Sequence, residues 1–233
     1  MKIIVSFARD LTLAAIDGIE QYYEIIESKL QTAKEEERTR IREKIKDMQL
    51  DWEDELIERD IVRQEHEMTF DMLLPNYFRY SCIVLLHLVV ENKLGEICGV
   101  AQNIKSNLPA SPKPKQGIIK EYRKYLTGVV GIASQQWNAI YDLNKIRNCI
   151  VHASGKVKDS RDEEYIRRMA EDEIGVAISG TPGELREDLR PLYLEDDMLM
   201  LKPEYCRKTI KMVRDFFEEL CDALSLPKFT IEK

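Results

Sequence analysis

The run Leu143-Asn144-Lys145-Ile146-Arg147-Asn148-Cys149-Ile150-Val151-His152, followed by Ala153-Ser154-Gly155, reads as the end of one amphipathic helix. At about 100° per residue, Ile140, Leu143, Ile146, Ile150 and Ala153 share one apolar arc, while Asn144, Asn148 and His152 follow one another on the neighbouring stripe. Arg147 falls inside the apolar arc. A guanidinium keeps its charge, so there it needs a carboxylate, a phosphate or an opening onto solvent. Gly155 is placed to stop the helix, which is expected over about 134–153.

Helical periodicity extends through most of the chain. From Leu11 to Leu74 only Gly18 interrupts, and Pro75 is the first proline, so 1–74 reads as a long helical extension or a helical hairpin. Ile16, Ile19, Tyr23, Ile26 and Leu30 recur at helical spacing there; beyond Ala33 the apolar stripe thins to Ile41, Ile45, Met48 and Trp52 between charges. Pro75 is expected to break the chain before a buried central helix at 77–101, which opens the second unit, 75–233. Within that helix His87 and Glu91 face the same way and are expected to bond each other; a satisfied core pair explains His87 better than catalysis does. Helices are further expected at 118–126 and 159–172, and one opened by Pro203 with Cys206, Ile210, Val213, Phe216, Phe217, Leu220 and Leu224 on its core face. Leu192–Leu201 has the pattern of a small β-hairpin across an acidic turn. The expected class is all-α with that one decoration.

Bulk composition agrees. Charged residues at 33%, hydrophobic ones at 44%, and only 10 Gly and 8 Pro in 233 residues suit salt-bridged helices around one sizeable core. A net charge of -7 excludes nucleic-acid binding through overall charge, so any such contact must come from a local patch. Lys113, Lys115, Lys120, Arg123 and Lys124, around a proline-rich loop at 105–117, are the candidates; a solvated linker explains the same lysines equally well. The five cysteines lack CxxC spacing and sit in apolar runs, as buried thiols in a reducing compartment do. With no evident signal peptide and an apolar run, Ile83–Val90, well short of a membrane span, a cytoplasmic protein is expected.

The spacing Arg147, four residues, His152, with Asn148 directly after the arginine, resembles the RNA-cleaving motif of the HEPN superfamily. Trp137 and Asn138 precede it as a tryptophan and an asparagine often do in those proteins, and Phe78–Glu91 looks like the family's buried helix ending in an acidic residue. Together the similar parts cover about 71–225. The resemblance implies an HEPN-like helical bundle that pairs as a homodimer, and a metal-independent endoribonuclease of toxin-antitoxin or antiphage-defence type, with RNA as substrate, no cofactor, and a possible antitoxin or regulatory partner. It assigns Arg147, Asn148 and His152 to catalysis, with Glu91 and Asn144 in support.

The residue types suit that chemistry. Scission through the 2′-hydroxyl needs a base, a proton for the leaving 5′-oxygen, and positive charge on the phosphorane-like transition state; an imidazole and a guanidinium are suitable groups. Asn148 is expected to orient the ring or hydrogen-bond the substrate, and Glu91 to neutralise or orient Arg147. Arg and His five apart point about 140° away from each other on one helix, so a cleft composed from two copies is expected through the motif helices. Other frameworks are weak: the three histidines lack metal-ligand spacing, and there is no glycine-rich phosphate loop or nucleophile elbow. The alternative from another class is a non-catalytic helical dimer that binds a nucleotide, RNA or a protein partner, with Arg147 and Glu91 as a structural ion pair.

Overall fold

The computed structural model describes residues 2–47, 56, 59, 66, 68–105, 107–113, 118–172, 174–179 and 197–227. They form α1 (Lys2–Asp47), α2 (Leu74–Ile104), α3 (Ile118–Lys124), α4 (Trp137–His152), α5 (Glu163–Asp172) and α6 (Pro203–Ala223), with strands β1 (Val176–Ile178) and β2 (Leu199–Leu201). The fold is all-α with one small antiparallel pair of strands.

One core runs through the bundle. Ala8, Ile16 and Tyr23 of α1 join it, so the first half of α1 packs on α2 and α6. Glu27, one turn on, is buried yet ionic: Arg79 of α2 donates to both its carboxylate oxygens, at 2.7 and 3.1 Å, and to the Leu201 carbonyl at 3.0 Å. That fork ties α1, α2 and β2 together, and removing one partner of such a buried pair costs about 3–5 kcal/mol. Past Ala33, α1 becomes mostly exposed. His66 Nε2 lies 3.2 Å from the Lys34 carbonyl, and Lys34 pairs with Asp71, so the chain has returned alongside α1 by this point. Met48 and Trp52 of the expected stripe lie outside the described residues.

Pro75 does not break the chain. A π-helical segment, Met68–Leu73, leads into α2, and Pro75 sits in its first turn, where the missing N–H has no helical partner to lose. Helix through Thr69–Ile104 is therefore long and apolar enough, by length and composition, to cross a membrane, which the count of consecutive apolar residues missed. In this fold it is the central helix, packed by α1, α4 and α6. Its burial is one-sided: Leu86, Val90, Leu94 and Ile97 are in the core, whereas Tyr77, Leu85 and Leu88 are exposed.

β2 pairs with β1, in the register Val176↔Leu201 and Ile178↔Leu199. The expected hairpin within 192–201 thus has its second arm in place, but that arm's described partner lies at 176–178; 192–196 are outside the described residues. Buried Asn76 holds β2 to α2. Its Nδ2 donates to the Leu199 carbonyl and its Oδ1 accepts from the Leu201 N–H, both at 2.9 Å, so a side-chain amide replaces a third strand. All five cysteines are buried and free. Burial holds the thiols protonated, with Cys82 and Cys98 pushed up to about 12 and Cys149 and Cys221 to about 11, which removes them as nucleophiles.

Candidate functional site

Trp137 packs edge-to-face on Phe216 at 4.9 Å and anchors the start of α4. Ile140, Leu143 and Ile146 are buried, as the apolar arc requires. The helix then ends in two left-handed residues, Ser154 (φ 53°) and Gly155 (φ 82°), with the Gly155 N–H donating to the Cys149 carbonyl at 3.0 Å. A Cβ on Gly155 would run into the Tyr80 hydroxyl. The stop is therefore specified twice, by conformation and by space.

At this end Arg147 and His152 meet within one chain. Arg147 Nη1 donates to Asn148 Oδ1 at 3.0 Å and stands 3.4 Å from His152 Nε2. The expected divergence of about 140° does not separate them, because a helical side chain leans back over the turn before its own Cα while the guanidinium reaches forward along the axis. A guanidinium only donates, so the contact requires the lone pair of an unprotonated Nε2 to face Arg147. His152 is exposed. Arg147 is half-buried, and its Nε is buried with no hydrogen-bond partner. Asn148 therefore touches the arginine, and the expectation that it orients the imidazole gives way to that contact.

Glu91 lies nearest His87 rather than Arg147, and Asn144 bonds His87. Among the described residues no ion pair joins Glu91 to Arg147; the half-buried carboxylate lies 3.8 Å from His87 Nδ1, too far for a hydrogen bond. The bond expected between His87 and Glu91 runs instead across the helix packing: His87 Nε2–H donates to Asn144 Oδ1 of α4 at 2.9 Å. Nδ1 then carries a buried lone pair with no partner. Burial, reinforced by the Arg147 charge and opposed by the Asn144 bond, pushes His87 down to about 4, so the ring is neutral. The stripe Asn144, Asn148, His152 thus divides its work: one residue holds α2, one holds Arg147, and one faces solvent.

The described basic residues have different neighbours. Lys113 is exposed on a groove of about 770 Å³ between α2 and α3, whose wall also carries Glu91 and Glu96. Two carboxylates make that groove a poor phosphate site. Arg123 lies over the ring of Tyr141 on α4, 5.3 Å from its centroid, and Lys124 pairs with Glu121 at 3.5 Å. Lys120 is exposed; Lys115 lies outside the described residues. The concavity at the motif is elsewhere, a recess of about 220 Å³ lined by Asn148, His152, Ala153, Asp159, Ser160 and Arg161. Arg161 was hidden in the sequence among the charges read as helix 159–172, although α5 begins only at Glu163. Among the described residues, no three His, Cys, Asp or Glu side chains are grouped to hold a metal ion.

Compared with protein families, with curated proteins and with solved structures, the chain matches none of them.

Proposed function

We propose that this protein is a metal-independent endoribonuclease of HEPN type, acting in a toxin-like or antiphage role, with Arg147 and His152 as its catalytic pair. One observation carries the reading: an exposed imidazole has its Nε2 3.4 Å from a guanidinium Nη1 and lines a recess of about 220 Å³. A phosphodiester set against Arg147 would bring its ribose 2′-hydroxyl to His152. His152 takes the hydroxyl proton as the O2′–P bond forms and the P–O5′ bond breaks, the departing 5′-oxygen takes a proton from solvent, and Arg147 stabilises the extra charge on the phosphorane oxygens. Asn148 holds the guanidinium through its Oδ1.

A homodimer along α4 belongs to the same proposal. Val151, beside His152, is exposed, as are Leu85 and Leu88 on the helix that α4 packs against, and apolar side chains next to a polar site favour a partner surface. The structural role that the non-catalytic alternative gives Arg147 has less support, since no Arg147–Glu91 ion pair is formed among the described residues.

Arg147→Ala and His152→Ala test the assignment. Each should lower RNA cleavage by about 10²–10⁴-fold, the range for a lost general base or transition-state donor, with the helical circular dichroism unchanged. Cleavage at the wild-type rate in both variants would remove the pair from the chemistry.

A further inference from the structure

Arg147 touches His152 but does not line the recess beside it; Arg161 does. His152 thus touches one arginine, from α4, and shares the recess with a second, from the turn that leads into α5. Arg161 is held loosely. Its side chain is 72% exposed and its ion pair, to Asp162, spans 3.8 Å, so a phosphate can take it at little cost. The recess has the hydroxyl of Ser160 and the amide of Asn148 as its neutral polar lining. Asp159 on the same wall opposes anion binding and keeps the affinity moderate.

We propose that Arg161 binds a second phosphate, the phosphodiester next to the one held at Arg147, so that the site takes a stretch of polynucleotide rather than a single nucleotide. The inference rests on the nuclease reading for the identity of the ligand and adds a contact that the motif does not contain. A chain passing His152 then meets Arg147 at the ring and Arg161 in the recess that the ring lines. Its register over the imidazole is then set by two phosphates instead of one, which is how backbone contacts position a nucleic acid without reading its sequence.

The test uses a fluorescent single-stranded oligoribonucleotide with 2′-O-methyl groups throughout, which has no free hydroxyl to attack and so reports binding apart from cutting. Anisotropy titrations over a range of salt, on the full chain, compare wild type with Arg161→Ala, Arg161→Lys and Asp159→Asn. Arg161→Ala should weaken binding several-fold and lower the slope of log K against log salt by about 0.7, the value for one phosphate contact on a single strand. Arg161→Lys should restore the slope, and Asp159→Asn should tighten binding. The same affinity and slope in wild type and Arg161→Ala would overturn the proposal, as would a wild type that fails to bind the oligonucleotide. Cleavage of unmodified RNA by the same preparations separates the two readings: an Arg161-dependent slope without cleavage leaves the phosphate site standing and rejects the nuclease, whereas cleavage with an unchanged slope does the reverse.

Discussion

Gly155 carries the geometry of the site more directly than Arg147 and His152 do. It ends α4 at the residue that lets His152 lean back toward Arg147, it needs φ 82°, and it leaves no room for a Cβ beside Tyr80. Gly155→Ala should therefore cost about 2–3 kcal/mol, from the left-handed conformation plus the displaced tyrosine, read as a lower midpoint in urea unfolding. A loss below about 0.5 kcal/mol would mean that the turn tolerates a side chain. Much at this scale was legible in advance. The spacing of Arg147 and His152, the glycine stop and the exposure of His152 follow from helical period alone. The approach of the two side chains did not, because an angle between Cα positions ignores the lean of one side chain and the length of the other. Partners of buried polar groups were equally hidden: Asn76 bonding β2, or His87 bonding Asn144, depends on where a distant element docks, which periodicity does not contain.

Between elements, the contact from His87 to Asn144 is the polar link that joins α2 to the helix bearing the motif. Burial at that contact disfavours the charged imidazole, and this gives the packing a pH signature. In the unfolded chain the ring takes up a proton near 6.5, whereas in the fold it resists protonation down to about 4. Stability from this residue is complete above pH 6.5, is lost as the pH falls toward 4, and changes no further below it; the total is on the order of 3 kcal/mol. Thermal unfolding from pH 7 to 4 should show that loss, and His87→Gln, which retains a donor for Asn144, should flatten it relative to wild type. Parallel curves for the two proteins would place the titration elsewhere. The extents of α4 and α6 were read to within a few residues because both are strongly amphipathic. Pro75 misled for a physical reason: a proline in a first turn and a proline that ends a helix look alike until the preceding π-helical turn is known.

For the molecule as a whole, the question is whether one chain or two make the unit of the proposed ribonuclease. Since Arg147 and His152 meet in a single chain, mixing Arg147→Ala with His152→Ala protein under conditions that exchange subunits should restore no cleavage. Recovery toward one active site per dimer would show that the groups act across the pair. The bundle itself was legible as all-α from composition and period, while the division at Pro75 was not a physical boundary for packing, since Ala8, Ile16 and Tyr23 of α1 share the core of the later helices. The most direct measurement of the central claim is the product chemistry of the wild type. Purified protein incubated with RNA in excess EDTA should yield fragments ending in a 2′,3′-cyclic phosphate and beginning with a 5′-hydroxyl, and should leave the all-2′-deoxy copy of the same sequence uncut. Cutting of the deoxy strand, 5′-phosphate ends, or no products until a divalent metal is added would contradict an Arg147–His152 ribonuclease.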